Sequence, residues 1–255
     1  MTTSNDSTEC RGVIISGGGT GIGRATAQAF ADRGDRVLVV GRTKDTLTKT
    51  AEGYAAIRTL AIDITKPDAP DLIVSTALRE FGRIDVLVNN AATATPQMLA
   101  DIDSALVDAQ FAVNLRAPIL LTQRALGALA DTGGTVVNLS TAGSLGRRAW
   151  PSMSIYGASK VAIDFLTRTW AAELAPLGIR VVAIAPGVIN TGMGERMGST
   201  PEEYAQFLDE IRTHIPNGRV GRPEEIAWWI VQLAQPQASY ATGTVLAVDG
   251  GASTV

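Results

Sequence analysis

The chain has 255 residues, 45% hydrophobic and 18% charged, enough apolar material to bury a full core. Its formal charge of −3 gives no electrostatic case for nucleic acid, whose binders carry a basic patch. One cysteine, Cys10, and one histidine, His214, lie far apart in sequence, so neither an internal disulfide, nor a metal centre, nor a Ser-His-Asp hydrolase is expected. The unpaired cysteine fits a reducing cytoplasm, no apolar run is long enough to span a membrane, and the polar start lacks the apolar core of a secretory signal. Residues 1–10 read as a flexible segment ahead of a single domain over 11–255.

In chain order, the first predicted strand is Val13-Ile14-Ile15, and it runs into Ser16-Gly17-Gly18-Gly19-Thr20-Gly21-Ile22-Gly23. Five glycines within seven residues, between strand and helix, permit tight turning and close backbone approach to a pyrophosphate seated on the helix N-terminus. A helix over Arg24–Arg33 follows, with Gly34 as a left-handed stop. The second strand, Val37–Val40, ends in Gly41-Arg42-Thr43-Lys44, two cations and no acid. A third strand, Thr59–Ile62, leads to Asp63 and Ile64, and a fourth, Val86–Val88, to Asn89-Asn90-Ala91-Ala92. A long helix over Ser104–Ala130 contains Asn114. The fifth strand, Val136–Leu139, brings two adjacent hydroxyls, Ser140 and Thr141, whose side chains must face opposite ways if the strand continues.

A loop with Arg147, Arg148 and Trp150 precedes a helix over Ser154–Ala175, which places Tyr156 and Lys160 on one face. An ammonium beside a phenol favours the phenolate and lowers a pKa that is otherwise about 10. The sixth strand, Val181–Ile184, continues into Pro186-Gly187-Val188-Ile189-Asn190-Thr191. From Thr191 to about Arg222 the alternation breaks, and an amphipathic helix with Tyr204, Phe207, Leu208 and Ile211 stands where a substrate lid would sit. Val245–Val248 is the seventh strand. Short, almost wholly apolar strands alternating with helices predict an α/β fold, a Rossmann-like doubly wound parallel sheet covered on both faces.

Read together, these motifs resemble the short-chain dehydrogenase/reductase family over essentially the whole chain. The family's Thr-Gly-x-x-x-Gly-x-Gly appears as Ser16 to Gly23, its Asn-Asn-Ala-Gly as Asn89 to Ala92, its Tyr-x-x-x-Lys as Tyr156 and Lys160, and its closing glycine pattern as Gly243 to Gly251. The resemblance implies a nicotinamide-dependent oxidoreductase acting on a small ketone, aldehyde or alcohol, with Tyr156 as general acid/base. It implies further that Lys160 lowers the Tyr156 pKa and binds the nicotinamide ribose, and that Asn114 holds a water of the proton relay. Aligned without gaps, Thr141 takes the place of the catalytic serine; aligned on Gly143, Ser140 does, with Ser144 third. Gly17, Gly19, Thr20, Gly21, Ile22, Gly23, Asn90, Ala91, Ala92, and Pro186, Gly187, Val188, Ile189 and Thr191 line the dinucleotide, and Asp63 with Ile64 meets the adenine. An acid at the position of Gly41 marks relatives that prefer NAD; its absence, with Arg42 and Thr43 following, implies NADP(H). Trp150, Met193 and Met197, beside Ser140 and Tyr156, are substrate-wall candidates. The family habit of pairing helices implies a homo-oligomer, a tetramer or dimer, through the helices carrying Asn114 and Tyr156. A redox-inactive dinucleotide sensor, imine reduction and epimerisation are other uses of the same residues.

Overall fold

Seven parallel strands form one sheet in the order β3-β2-β1-β4-β5-β6-β7. They are β1 (Gly12–Ser16), β2 (Arg36–Gly41), β3 (Ile57–Ala61), β4 (Val86–Asn89), β5 (Thr135–Leu139), β6 (Arg180–Pro186) and β7 (Val245–Val248). The computed structural model describes residues 10–146, 149–196 and 198–255, so most of the expected N-terminal segment, Arg147, Arg148 and Met197 lie outside the described residues.

β1, β2, β4, β5 and β6 are buried on both faces, whereas the edge strands β3 and β7 are not, and strand alternation divides the core. Val13, Ile15, Val37, Val39, Val137 and Val182 meet α1 (Gly21–Ala31), α2 (Lys44–Ala51) and α9 (Pro223–Leu233) through Phe30, Leu47 and Ile230. Ile14, Leu38, Leu87, Val136 and Val181 face the other way onto α3 (Ala69–Phe81), α5 (Ala117–Thr132) and α6 (Ser154–Leu174), through Ile73, Leu129 and Leu174. Between them α4 (Ser104–Phe111) precedes α5, and α7 (Met193–Arg196) and α8 (Pro201–Arg212) follow β6.

Two expectations change. The third strand begins two residues earlier than its apolar run, at Ile57, because pairing with Val37 to Gly41 sets its register. The helix expected over Ser104–Ala130 is broken: Ala112–Arg116 is a π-helical turn between α4 and α5, and Asn114 sits in it. Such turns insert a residue into the helical ladder and turn a chosen side chain inward. Asn114 is 2% exposed and spans to Thr93 and Ser159.

The strand order reverses between β1 and β4, both of which run from the same edge. The crevice in which ligands bind at the carboxyl ends of such strands therefore opens there. Ser16 Oγ closes its floor by accepting from the Asn90 and Ala91 amides, each at 3.1 Å. Asn90 Nδ2 donates to the carbonyls of Ser16 and Gly17 at 2.9 and 3.0 Å. Gly17 turns away at φ +66, a region open mainly to glycine. A Cβ on Gly23 would lie 2.2 Å from the Gly17 carbonyl oxygen and 2.6 Å from Asn90 Nδ2. We expect Gly23→Ala to cost about 1–3 kcal/mol, the usual range for overpacking, read as a lower urea midpoint; an unchanged midpoint would refute this account of the contact.

Candidate functional site

The glycine loop delivers α1 with its N-terminus at the crevice. Thr20 precedes the helix in an extended conformation and makes no side-chain bond to the first turn. The amides of that turn, positive by their dipoles, face the space the glycines leave open, a fit for a pyrophosphate. Ile22 packs back onto the core. Thr191 closes the far side, its Cβ only 2.9 Å from where a Cβ on Gly21 would stand. Before it, Pro186 is buried at the end of β6, Gly187 passes Asp249 too closely for a side chain, and Val188 and Ile189 pair with Gly221. Ala92 is exposed beyond Ala91 on the opposite wall.

At the end of β2, Gly41 is half-buried while Arg42, Thr43 and Lys44 are exposed. Asp63 does not cap a helix; the Thr65 amide and hydroxyl bind its carboxylate at 2.9 and 2.8 Å and hold its pKa below the usual value. The nearby Arg42 charge adds to that effect, so Arg42 and Asp63 share one rim of the crevice. Ile64 leads from it into the core.

The chemistry-bearing groups meet where β5 ends. Thr141 is still extended (φ −156, ψ 145), so strand alternation persists through both hydroxyls. The two therefore part. The Thr141 hydroxyl lies close enough to the Tyr156 phenol to pull its pKa down, whereas Ser140 Oγ lies 3.1 Å from Ser144 Oγ. Between the two alignments left open by the sequence, this geometry brings Thr141 to the tyrosine and turns Ser140 away.

Lys160 is 3% exposed, donates to the Leu139 carbonyl at 2.7 Å, and holds its Nζ 5.7 Å from the Tyr156 ring centre. Burial pulls its pKa down to about 8, against a smaller opposing pull from Asp164. The same burial pushes Tyr156 up to about 12, with the Thr141 hydroxyl opposing it. The expected lowering of the phenol by Lys160 is thus outweighed by desolvation, and the ammonium is bound to the Leu139 carbonyl. Trp150 stacks on Tyr156 at 6.4 Å and 20°, covering the phenol ring.

Asn114 spends both amide protons, on the Thr93 carbonyl at 2.8 Å and Ser159 Oγ at 3.2 Å, and accepts from the Thr93 amide at 2.8 Å. A water held by Asn114 would thus have to sit on an acceptor oxygen. Met193 opens α7, half-buried, and Tyr204 of α8 packs flat on Gly194 beneath it. His214 is exposed and bonded to its own helix end, apart from this chemistry.

Sequence reasoning missed Thr93, Ser159 and Asp164, and it named Ser144, the partner of Asp164, only as the third candidate hydroxyl. Ser159 and Asp164 were findable: they stand three residues after Tyr156 and four after Lys160, on the helix face already singled out. Thr93 carried no comparable signal, since it joins Asn114 only through the fold.

Comparison with known proteins gives one consistent answer. A family model described as enoyl-(acyl carrier protein) reductase matches residues 17–253. A curated relative, the 3-oxoacyl-[acyl-carrier-protein] reductase FabG of Thermotoga maritima, is 37% identical over 93% of this chain and 96% of its own. A crystal structure of a short-chain dehydrogenase/reductase of unknown function from Caenorhabditis elegans, with cofactor, superposes with a TM-score of 0.92 at 35% identity, covering 96% of both chains. The 3-ketoacyl-(acyl-carrier-protein) reductase of Brucella melitensis, complexed with NADH, gives 0.87 at 32% identity, covering 96% of this chain and 99% of its own. Among the described residues, no helix is long and apolar enough to cross a membrane.

Proposed function

Because the chain belongs to the short-chain dehydrogenase/reductase family, we propose that it is an NADP(H)-dependent oxidoreductase that interconverts a small ketone or aldehyde with its alcohol. The observation that carries this reading is the Tyr156 phenol beside a buried Lys160 whose ammonium is tied to the end of β5, with the Thr141 hydroxyl close by. The loop from Gly17 to Gly23 and the α1 N-terminus hold the pyrophosphate, Asn90 to Ala92 and Pro186 to Thr191 flank the nicotinamide half, and Asp63 with Ile64 borders the adenine. A bound dinucleotide supplies the hydride, or takes it up when an alcohol is oxidised. Thr141 donates to the carbonyl oxygen and fixes its position, and Tyr156 delivers its proton there as general acid. Lys160 stabilises the tyrosinate left behind, and Asn114 holds the shape of the wall behind it. Trp150 and Met193 form the apolar side of the substrate space, α8 covers it as a lid, and a cytoplasmic location fits the unpaired Cys10.

Tyr156→Phe should retain NADPH binding and the wild-type urea midpoint while losing most turnover across a panel of ketones and aldehydes; retained turnover would remove Tyr156 from the mechanism. The pH dependence follows from the two shifts. A phenol at about 12 keeps its proton through the neutral range, whereas Lys160 loses its charge above about 8. The reductive kcat should therefore be level below pH 8 and fall above it, because the neutral amine no longer stabilises the tyrosinate. A kcat that rises through that range would contradict the assignment.

The choice of NADP(H) rests on Arg42, exposed at the rim with no acid at Gly41. A Cβ on Gly41 would stand 3.4 Å from Leu47 Cδ2, an ordinary contact, so an aspartate fits there. Gly41→Asp with Arg42→Ala should shift the ratio of kcat/KM from NADPH towards NADH by about tenfold or more, since a hydrogen bond to a charged group contributes about 1.5–3 kcal/mol. A wild-type protein that already prefers NADH overturns this reading.

A second copy of the chain completes the proposed assembly. Val161 and Phe165 of α6 are 52% and 62% exposed, and Leu120 of α5 is 38% exposed. Trp228 and Trp229 on α9, ring against ring at 4.8 Å, form another exposed apolar patch. We expect a homo-oligomer, a tetramer in the fullest case, by light scattering at micromolar concentration; a fully active monomer would dismiss it.

A further inference from the structure

Tyr156, Lys160 and Asp164 follow one another at intervals of four along α6, so a single stripe carries a phenol, an ammonium and a carboxyl group. Asp164 is 4% exposed, and its Oδ1 has no hydrogen-bond partner among the described residues. Its Oδ2 accepts from Ser144 Oγ at 2.5 Å. A buried acid in a helix face that packs with Ile163 and Thr167 is costly wherever its pairing is incomplete, and an apolar residue would avoid that cost. Packing alone therefore gives no reason for a carboxyl here.

Its contacts do. Ser144 ends the short turn Ala142–Ser144, and Thr141 is the residue that leads into it. Ser144 Oγ also lies 2.6 Å from the Thr141 carbonyl and 3.1 Å from Ser140 Oγ, so one hydroxyl joins the acid of α6 to both residues that close β5. Ser140 is drawn to this side, and by strand alternation the Thr141 hydroxyl is left facing the phenol.

We propose that Asp164, acting through Ser144, is a positioning residue: it locks the turn after β5 onto the helix that carries Tyr156, so that the Thr141 hydroxyl meets the phenol. This rests on the reading of Tyr156 and Thr141 as the reacting pair. Asp164 touches neither substrate nor dinucleotide. Its effect is on geometry, and it should appear in kcat with little change in KM.

The test is a double-mutant cycle with a conservative rescue. Asp164→Ala and Ser144→Ala should each lower kcat by about tenfold to a hundredfold, the scale of a small misplacement of a reacting group, with KM and NADPH affinity nearly unchanged. The double variant should be no worse than the poorer single one, because both act through the same contact. Asp164→Asn, which keeps an acceptor for Ser144 and removes the charge, should recover most of the loss. Independent, multiplying effects, or Asp164→Asn as poor as Asp164→Ala, would overturn positioning through Ser144. A crystal structure of Asp164→Ala should find the Thr141 hydroxyl out of reach of the phenol, and an unchanged contact refutes the proposal whatever the kinetics. If the wild-type protein reduces no carbonyl, the reductase reading fails and the crystal structure still decides this one. Should Asp164→Ala not fold, Ser144→Ala carries both measurements.

Discussion

A lysine ammonium taken almost wholly out of water, and held by a single main-chain carbonyl, is the contact on which the site depends. Lys160 sits in α6, and the carbonyl it binds belongs to Leu139 at the end of β5. The β4 ladder stops at Asn89, opposite Asn138, one residue short of Leu139. The strand end thus offers an acceptor that its neighbour does not pair, and the lysine takes it. This bond ties the helix of the phenol to the strand of the hydroxyls. A shift of α6 along its axis would strand a buried charge and a buried carbonyl together, each costly without its partner. Register between α6 and β5 is therefore enforced by polar desolvation in addition to apolar packing.

The same logic extends across the strand ends. Ser16, Asn90 and the Gly17 carbonyl tie β1 to the segment after β4 at the point where the strand order reverses. Asn89 Nδ2 donates to Asn138 Oδ1 at 2.9 Å and to Thr122 Oγ1 at 3.0 Å, and Asn138 Nδ2 donates to Thr167 Oγ1 at 2.9 Å. The polar chain runs from α5 through two strands to α6, inside an otherwise apolar sheet. Asn89 Oδ1 is left without a partner among the described residues, but buried polar groups linked in this way still specify one arrangement more sharply than interchangeable aliphatic contacts do. It lies directly behind the tyrosine and lysine, where positional tolerance is smallest.

How much of this the sequence disclosed varied with the range of the interaction. The seven strands were legible because each is a short apolar run between polar turns, and the glycine loop because its residues are consecutive. Tyr156 and Lys160 were legible as a pair because helical spacing is local. The π-helical turn at Asn114 was hidden: Val113, Leu115 and the residues around them continue a helical pattern, and only the pull of Thr93 and Ser159 reveals the interruption. The separation of Ser140 from Thr141 was half visible. Alternation requires that they part, but which one meets the phenol depends on the placement of α6. The sign of the phenol's shift was misread for a related reason, since a charge four residues away is visible in sequence and the solvent removed from both groups is not.

That removal acts in opposite directions on the two groups, as their proposed roles require. Burial favours the neutral form of each, raising the acid and lowering the base, so Tyr156 stands near 12 and Lys160 near 8. An acid and a base whose environments drive their pKa values apart have distinct duties at neutral pH: one keeps a proton to give, the other keeps a charge to receive the anion formed. The margin on the lysine is narrow, because further desolvation would carry its pKa towards neutrality and discharge it. Asp164, one helical turn away, is the group that opposes this. A buried carboxyl that is costly to the fold by itself thus becomes intelligible as the anchor of the Ser144 turn, which holds the end of β5 against α6.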